Sequence, residues 1–239
     1  MNVIQKFGPI MSTIASRLQV TQRRIADAAR AAGRAPDSVR LVAVSKAFPA
    51  DAVRAAHAAG QSDFGENYLQ EALAKMRALA DLPLTWHFIG PIQGNKAAAL
   101  AEHFAWVHSV DRERIAERLS RARPEGAPAL EVCVQVNVGG EESKSGVAPE
   151  EAAALARFVR ALPRLRLRGL MAIPRPAPDT EGRRAQFRVL RGLLQRLNAE
   201  GMGLDTLSMG MSEDLEAAIA EGATMVRVGT AIFGERTKR

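Results

Sequence analysis

Short apolar runs of about five to eight residues alternate along the chain with longer, Ala-rich stretches whose apolar positions recur at helical spacing. Runs of the first kind suit strands buried on both faces, and their alternation with helices predicts βαβ units and a parallel sheet. Eight runs stand out: LVAVS at 41–45, the segment Asp63–Gly65, LTWHFIG at 84–90, AWVHSV at 105–110, LEVCVQVNV at 130–138, LRLRGLMAI at 165–173, DTLSMG at 205–210 and TMVRVG at 224–229. Helices are expected between them at 49–60, 66–80, 94–103, 111–122, 149–161, 180–200 and 212–221. The alternation predicts an α/β fold, a single (β/α)8 barrel of the TIM type over 11–239, with 1–10 as an N-terminal extension.

One position in that barrel is left open. Only ten residues follow Gly229, too few for an ordinary helix over the eighth strand. Upstream, Ile14, Leu18, Ile25, Ala28, Ala29 and Ala32 fall near one face at helical spacing, so an N-terminal helix over 11–32 is expected to cover the last strand instead. The Pro-rich IPRPAPD at 173–179 reads as a loop after strand six.

Composition narrows the function classes. With 239 residues, 47% of them hydrophobic, the chain can bury the core of one such domain. Cys133 is the sole cysteine, which excludes an intrachain disulfide and C-x-x-C metal or redox sites and suits a reducing, cytoplasmic setting. No apolar run approaches the roughly 18 residues of a membrane span, and the start lacks a signal-peptide core, so a soluble protein without a membrane partner is expected. Residues 1–26 contain no acid and carry Lys6, Arg17, Arg23 and Arg24, a composition shared with organellar transit peptides; the helical face at 11–32 favours a structural role. A net charge of +7 suits a nucleic-acid partner in principle. The 27 arginines and 6 lysines are scattered along helices with no basic block or aromatic platform, so they read as solvated faces and no nucleic-acid partner is expected.

In such barrels the working groups sit at the carboxyl ends of the strands, and phosphate groups commonly rest on the loops after strands seven and eight. Lys46 follows LVAVS directly. Pressed among apolar neighbours its amine would lose its charge easily and attack an aldehyde; a lysine there also simply snorkels to solvent. Ser212 stands at the start of the helix after strand seven, as a phosphate ligand or an ordinary N-cap. Gly229 and Thr230 end strand eight, where backbone N–H groups can approach a phosphate or glycine can merely close the strand. Both features follow the two strands favoured for phosphate binding, which makes their conjunction more specific than either. Arg227 lies inside TMVRVG, and a buried guanidinium needs an acceptor. A carboxylate serves structurally; a pyridine nitrogen serves as cofactor, and a permanent cation beside it disfavours ring protonation and weakens the ring as an electron sink.

These residues resemble the pyridoxal phosphate (PLP) homeostasis protein family, which is related to the N-terminal barrel of alanine racemases. The resemblance rests on AVSKAFP around Lys46, FGENYLQE at 64–71, WHFIGPIQGNK at 86–96, VNVGGEESKSG at 136–146 and SMGMSEDLEAAIAEGATMVRVGTAIFG at 208–234. Pro91, Ile92 and Gly94 depart from the usual pattern, leaving His87, Asn95 and Lys96 in place. The resemblance implies PLP as a covalent aldimine, or Schiff base, on Lys46, its phosphate on Ser212, Gly229 and Thr230, and Arg227 facing the pyridine nitrogen. Asn67, His87, Asn95 and Met211 look like further pocket positions; an inward barrel residue for His87 and a helix N-cap for Asn67 stay open beside that role. Lys144 reads as solvated, with a transient cofactor relay as the other reading.

A two-base racemase needs a second acid–base group, which related racemases take from an additional C-terminal domain across a dimer. The expectation is therefore a cytoplasmic, monomeric carrier in vitamin B6 and amino-acid homeostasis that holds PLP without efficient catalysis, with PLP-dependent apo-enzymes as candidate recipients. The alternative is a slow PLP-dependent amino-acid racemase or transaminase. A sugar-phosphate isomerase barrel or nucleic-acid binder leaves Lys46 and Arg227 unexplained.

Overall fold

The computed structural model describes residues 4–141 and 145–235, with side chains in the first helix from Thr13 onward. Lys144 lies outside the described residues. Eight parallel strands close into one barrel in sequence order. They are β1 Arg40–Val44, β2 Asp63–Glu66, β3 Thr85–Phe88, β4 Trp106–Val110, β5 Leu130–Gln135, β6 Leu165–Met171, β7 Thr206–Ser208 and β8 Met225–Val228. The seam closes between β1 and β8, with Arg40 opposite Met225 and Ala43 opposite Val228. Each strand coincides with a predicted run, β1 starting one residue earlier at Arg40 and β2 ending one residue later at Glu66. The runs at 130–138 and 205–210 extend beyond β5 and β7, because their ends turn outward as loops at the rim.

The helices are α1 Ile4–Ala31, α2 Ala50–Ala58, α3 Leu69–Ala78, α4 Ala97–His103, α5 Glu113–Ala122, α6 Ala152–Ala161, α7 Thr180–Ala199, α8 Leu215–Ala220 and α9 Thr230–Phe233. A 3-10 turn, Gly94–Lys96, leads into α4. The pattern did not predict the four-residue α9, since a single turn is too short for a helical period to register.

The strand period of two sorts side chains between two cores. Leu41 and Ala43 face outward into the large barrel–helix layer, while Val42 packs inside with Trp106, Cys133, Met171 and Met225. The helix α1 fills the place left by the short α8 and α9 and packs against both and against α2. Its buried face is Ile14, Leu18, Ile25 and Ala29, with Ala28 and Ala32 partly buried beside them. Arginines fasten it: Arg24 pairs with Glu216 at 2.8 Å and donates to the Ser212 carbonyl, and Arg34, just past the end of α1, donates to the carbonyls of Ile219 in the last turn of α8 and Ala223 beyond it. The helix that completes the barrel thus also braces the loop after β7.

Candidate functional site

At the carboxyl ends of the strands lies a cavity of about 380 Å3. Its wall includes Lys46 after β1, Asn67 after β2, the Pro-rich segment 173–177 after β6, Met211 and Ser212 after β7, Arg227 in β8, and Gly229 and Thr230 behind it. Seven of the nine pocket residues singled out from the sequence therefore meet around one space, within the size range of small-molecule sites.

The backbone on both sides of Lys46 is held by a buried ionic cluster. Lys75, 5% exposed in α3, donates to the Ser45 carbonyl, to Glu66 and to Glu71, each at 2.6 Å. Ser45 Oγ donates to Glu66 at 2.6 Å, and the Ala47 N–H donates to Glu71 at 2.6 Å. Ala47 has φ of 66°, a left-handed conformation that a side-chain-bearing residue keeps only when its surroundings enforce it. Burial pushes the Glu66 carboxyl up, against the opposing pull of Lys75, and its Oε2 is buried without a partner.

The phosphate-type cradle differs in detail from the sequence reading. Ser212 does not open a long helix; it sits in a turn ahead of the six-residue α8, where the Asp214 carboxylate accepts from the Met211 N–H at 2.6 Å. Ser212 Oγ instead lies over the first turn of α9, accepting weakly from the Ala231 N–H at 3.5 Å. The N–H groups of the first helical turn have no intrahelical acceptor, and here they open beside a hydroxyl on the cavity wall. Gly229 also eases a close approach across the seam, where a Cβ would stand 3.1 Å from the Val44 carbonyl.

Arg227 is 4% exposed and donates to Ser208 Oγ at 2.8 Å and to the Ala172 carbonyl at 3.0 Å. No carboxylate forms an ion pair with it among the described residues, so the structural-carboxylate reading is set aside and its acceptors are neutral. Burial lowers its pKa to about 10, with Asp214 opposing, which still leaves it cationic at neutral pH.

His87 and Asn95 are the predicted residues that the structure keeps off the cavity wall, and His87 lies below it. It points into the barrel from β3, fully buried, with Nε2 on Asp63 and Nδ1 on His108, so neither ring nitrogen is available to a ligand. Asn95 likewise lies apart, in a shallow surface groove with Arg118 and Arg121. Asn67 does not cap α3, which begins at Leu69 without a side-chain cap. Its Oδ1 is buried and unpartnered, and Gly90 lets it sit there: a Cβ on Gly90 would meet the Asn67 carbonyl at 2.4 Å. Met211 is 38% exposed at the rim. Sequence reasoning missed Lys75, Asp214, His108 and Ser208; Lys75 carried a signal, two carboxylates at helix-neighbour and strand-end spacing ahead of it.

Similarity places this geometry among known proteins. Residues 18–237 match the model of the alanine racemase N-terminal domain. The chain is 65% identical to the pyridoxal phosphate homeostasis protein of Pseudomonas aeruginosa, over 95% of this chain and 97% of that one. It is 51% identical to the protein of that name from Escherichia coli, over 95% and 98%. The structure of PipY from Synechococcus elongatus with PLP bound superposes with a TM-score of 0.80 at 41% identity, covering 92% of this chain and 100% of that one. An alanine racemase from Bacillus anthracis shares the fold, with a TM-score of 0.72 at 18% identity over 95% of this chain and 57% of the racemase. The chain belongs to the alanine racemase N-terminal domain family and, within it, to the pyridoxal phosphate homeostasis proteins.

Proposed function

We propose that this protein binds pyridoxal 5'-phosphate in the cavity at the strand ends and holds it as a vitamin B6 carrier. The observation that carries the reading is that Lys46, Ser212 and Arg227 line one cavity of about 380 Å3. The donor set fits an anionic, aldehyde-bearing aromatic molecule: an amine, a hydroxyl beside the opening turn of α9, and a guanidinium that stays charged. The buried, unpartnered Asn67 Oδ1 adds an acceptor on the same wall. On this reading Lys46 supplies the covalent link, Ser212, Gly229 and Thr230 receive the phosphate, and Met211 borders the mouth.

The bound cofactor would supply an electron-accepting ring. Arg227 donates and cannot give up its proton at neutral pH, so a ring nitrogen facing it stays unprotonated and the ring is a poor electron sink. That favours storage and delivery over turnover, with apo-enzymes as recipients and a cytoplasmic monomer as the working form. Borohydride reduction after incubation with PLP, followed by peptide mass mapping, is expected to place one pyridoxyl group on Lys46 and none in Lys46→Ala. An adduct confined to another residue overturns the site. Amino-acid racemisation or transamination well above that of free PLP, and lost in Lys46→Ala, would replace the carrier reading with that of a slow enzyme.

A further inference from the structure

The interior of an eight-stranded barrel is ordinarily filled by bulky aliphatic layers. Here five polar side chains from five strands form a continuous file through it. Asp63 Oδ1 meets His87 Nε2 at 2.9 Å, His87 Nδ1 meets His108 Nε2 at 2.9 Å, His108 Nδ1 meets Ser208 Oγ at 2.8 Å, and Ser208 Oγ meets Arg227 Nη1 at 2.8 Å. Both rings are fully buried, and Trp106 stacks on His87 with ring centroids 5.5 Å apart. Asp63 begins β2 at the opposite end of the barrel from the cavity, with Arg40 3.7 Å away and a side chain 21% exposed.

The partners allow one order of protons. A carboxylate at neutral pH only accepts, so His87 carries its hydrogen on Nε2. A neutral imidazole has one N–H, so His87 Nδ1 accepts and His108 must donate from Nε2. His108 Nδ1 then accepts from the Ser208 hydroxyl, and Ser208 Oγ receives the Arg227 N–H on a lone pair. Burial keeps both rings neutral, and Arg227 disfavours a charge on His108 as well. Without the carboxylate a second order is open: both rings carry hydrogen on Nδ1, and Ser208 accepts from His108 and Arg227 together.

We propose that Asp63 is a remote positioning residue that fixes the proton order of the His87–His108–Ser208 file and, through Ser208, the alignment of Arg227 on the cavity wall. The consequence for a bound cofactor rests on the PLP reading above; the proton order does not. Long-range 1H–15N spectra of histidine-labelled protein at neutral pH are expected to show both rings neutral with hydrogen on Nε2. Asp63→Ala should move both toward the Nδ1–H form, and Asp63→Asn, whose carboxamide oxygen still accepts, should restore the original order. Wild-type rings bearing Nδ1–H or a positive charge, or rings unchanged in Asp63→Ala, overturn the proposal. In PLP-loaded protein, Asp63→Ala should shift the cofactor absorbance band and Asp63→Asn should not, with the borohydride adduct still on Lys46. An unshifted band despite switched rings overturns the link to the cavity. Loss of the Lys46 adduct in wild type overturns only the cofactor reading, since the ring spectra need no ligand.

Discussion

Behind Lys46 the supporting groups are ions, with Lys75 touching two carboxylates and a carbonyl at 2.6 Å; behind Arg227 they are neutral, a serine hydroxyl and a carbonyl backed by two uncharged histidines. The ionic cluster lies in the layer between barrel and α3 and is built largely from one stretch of sequence, 66–75. The neutral file runs inside the barrel and draws on five strands. A buried ion pair offsets only part of its own desolvation, as the raised Glu66 carboxyl shows, yet it can pin a strained residue such as Ala47. A neutral chain beside a buried cation leaves that charge less cancelled, which suits Arg227 if its charge is to act on something in the cavity.

The largest effect expected from breaking this contrast is at Lys75. Lys75→Met strands the buried Glu66 carboxylate and should cost about 3 to 5 kcal/mol in denaturant unfolding. The double variant with Glu66→Leu should recover part of that loss, because the stranded charge goes with it. Next comes Leu18→Ala, which opens a fully buried site between α1 and the barrel and should cost about 2 to 5 kcal/mol by the same measurement. Cutting the neutral file should cost less: Ser208→Ala leaves buried donors on Arg227 without their acceptor and should lower stability by about 1 to 3 kcal/mol. Smallest is Arg24→Ala, a surface pair with Glu216, at about 1 kcal/mol or less; it should loosen PLP binding more than unfolding if the Ser212 loop is part of the site.

Acid titration separates the two regions by sign. Burial holds both His87 and His108 below their ordinary 6.5, so the unfolded chain takes up protons first as the pH falls. Their contribution is complete above about 6.5 and is lost as the pH drops through that value toward the lower folded-state pKa. Glu66 is held above its ordinary 4.5, so the folded state protonates first there; that contribution is complete below 4.5 and is lost as the pH rises through the folded value. Melting temperatures measured downward from neutral should begin to fall below about pH 6.5, and His108→Gln should flatten that fall while leaving the Glu66 dependence in place.

The positions at the strand tips were legible because a barrel fixes where its functional groups lie. Once LVAVS and TMVRVG read as the first and last strands, Lys46, Gly229 and Thr230 had to emerge at the same rim, and Arg227 had to lie beside it or point away. His87 shows the limit of that reasoning. Its motif marked it as important, but depth along the barrel axis separates a residue on the cavity wall from one below it, and depth depends on how strands stagger. The Ser212 hydroxyl was similarly assigned to the helix after it and is found over the turn after β8.

Sequence alone determined the eight strands, the covering role of α1 and the rim carrying Lys46 and Ser212, since each follows from local periodicity joined to a closed topology. Only the tertiary structure decided what supports those groups. Ser208 and His108 are a hundred residues apart, and nothing in either neighbourhood specifies that a hydroxyl will meet an imidazole at 2.8 Å. Side-chain pairing across a barrel is set by register and stagger, which are properties of the closed sheet and of no single segment.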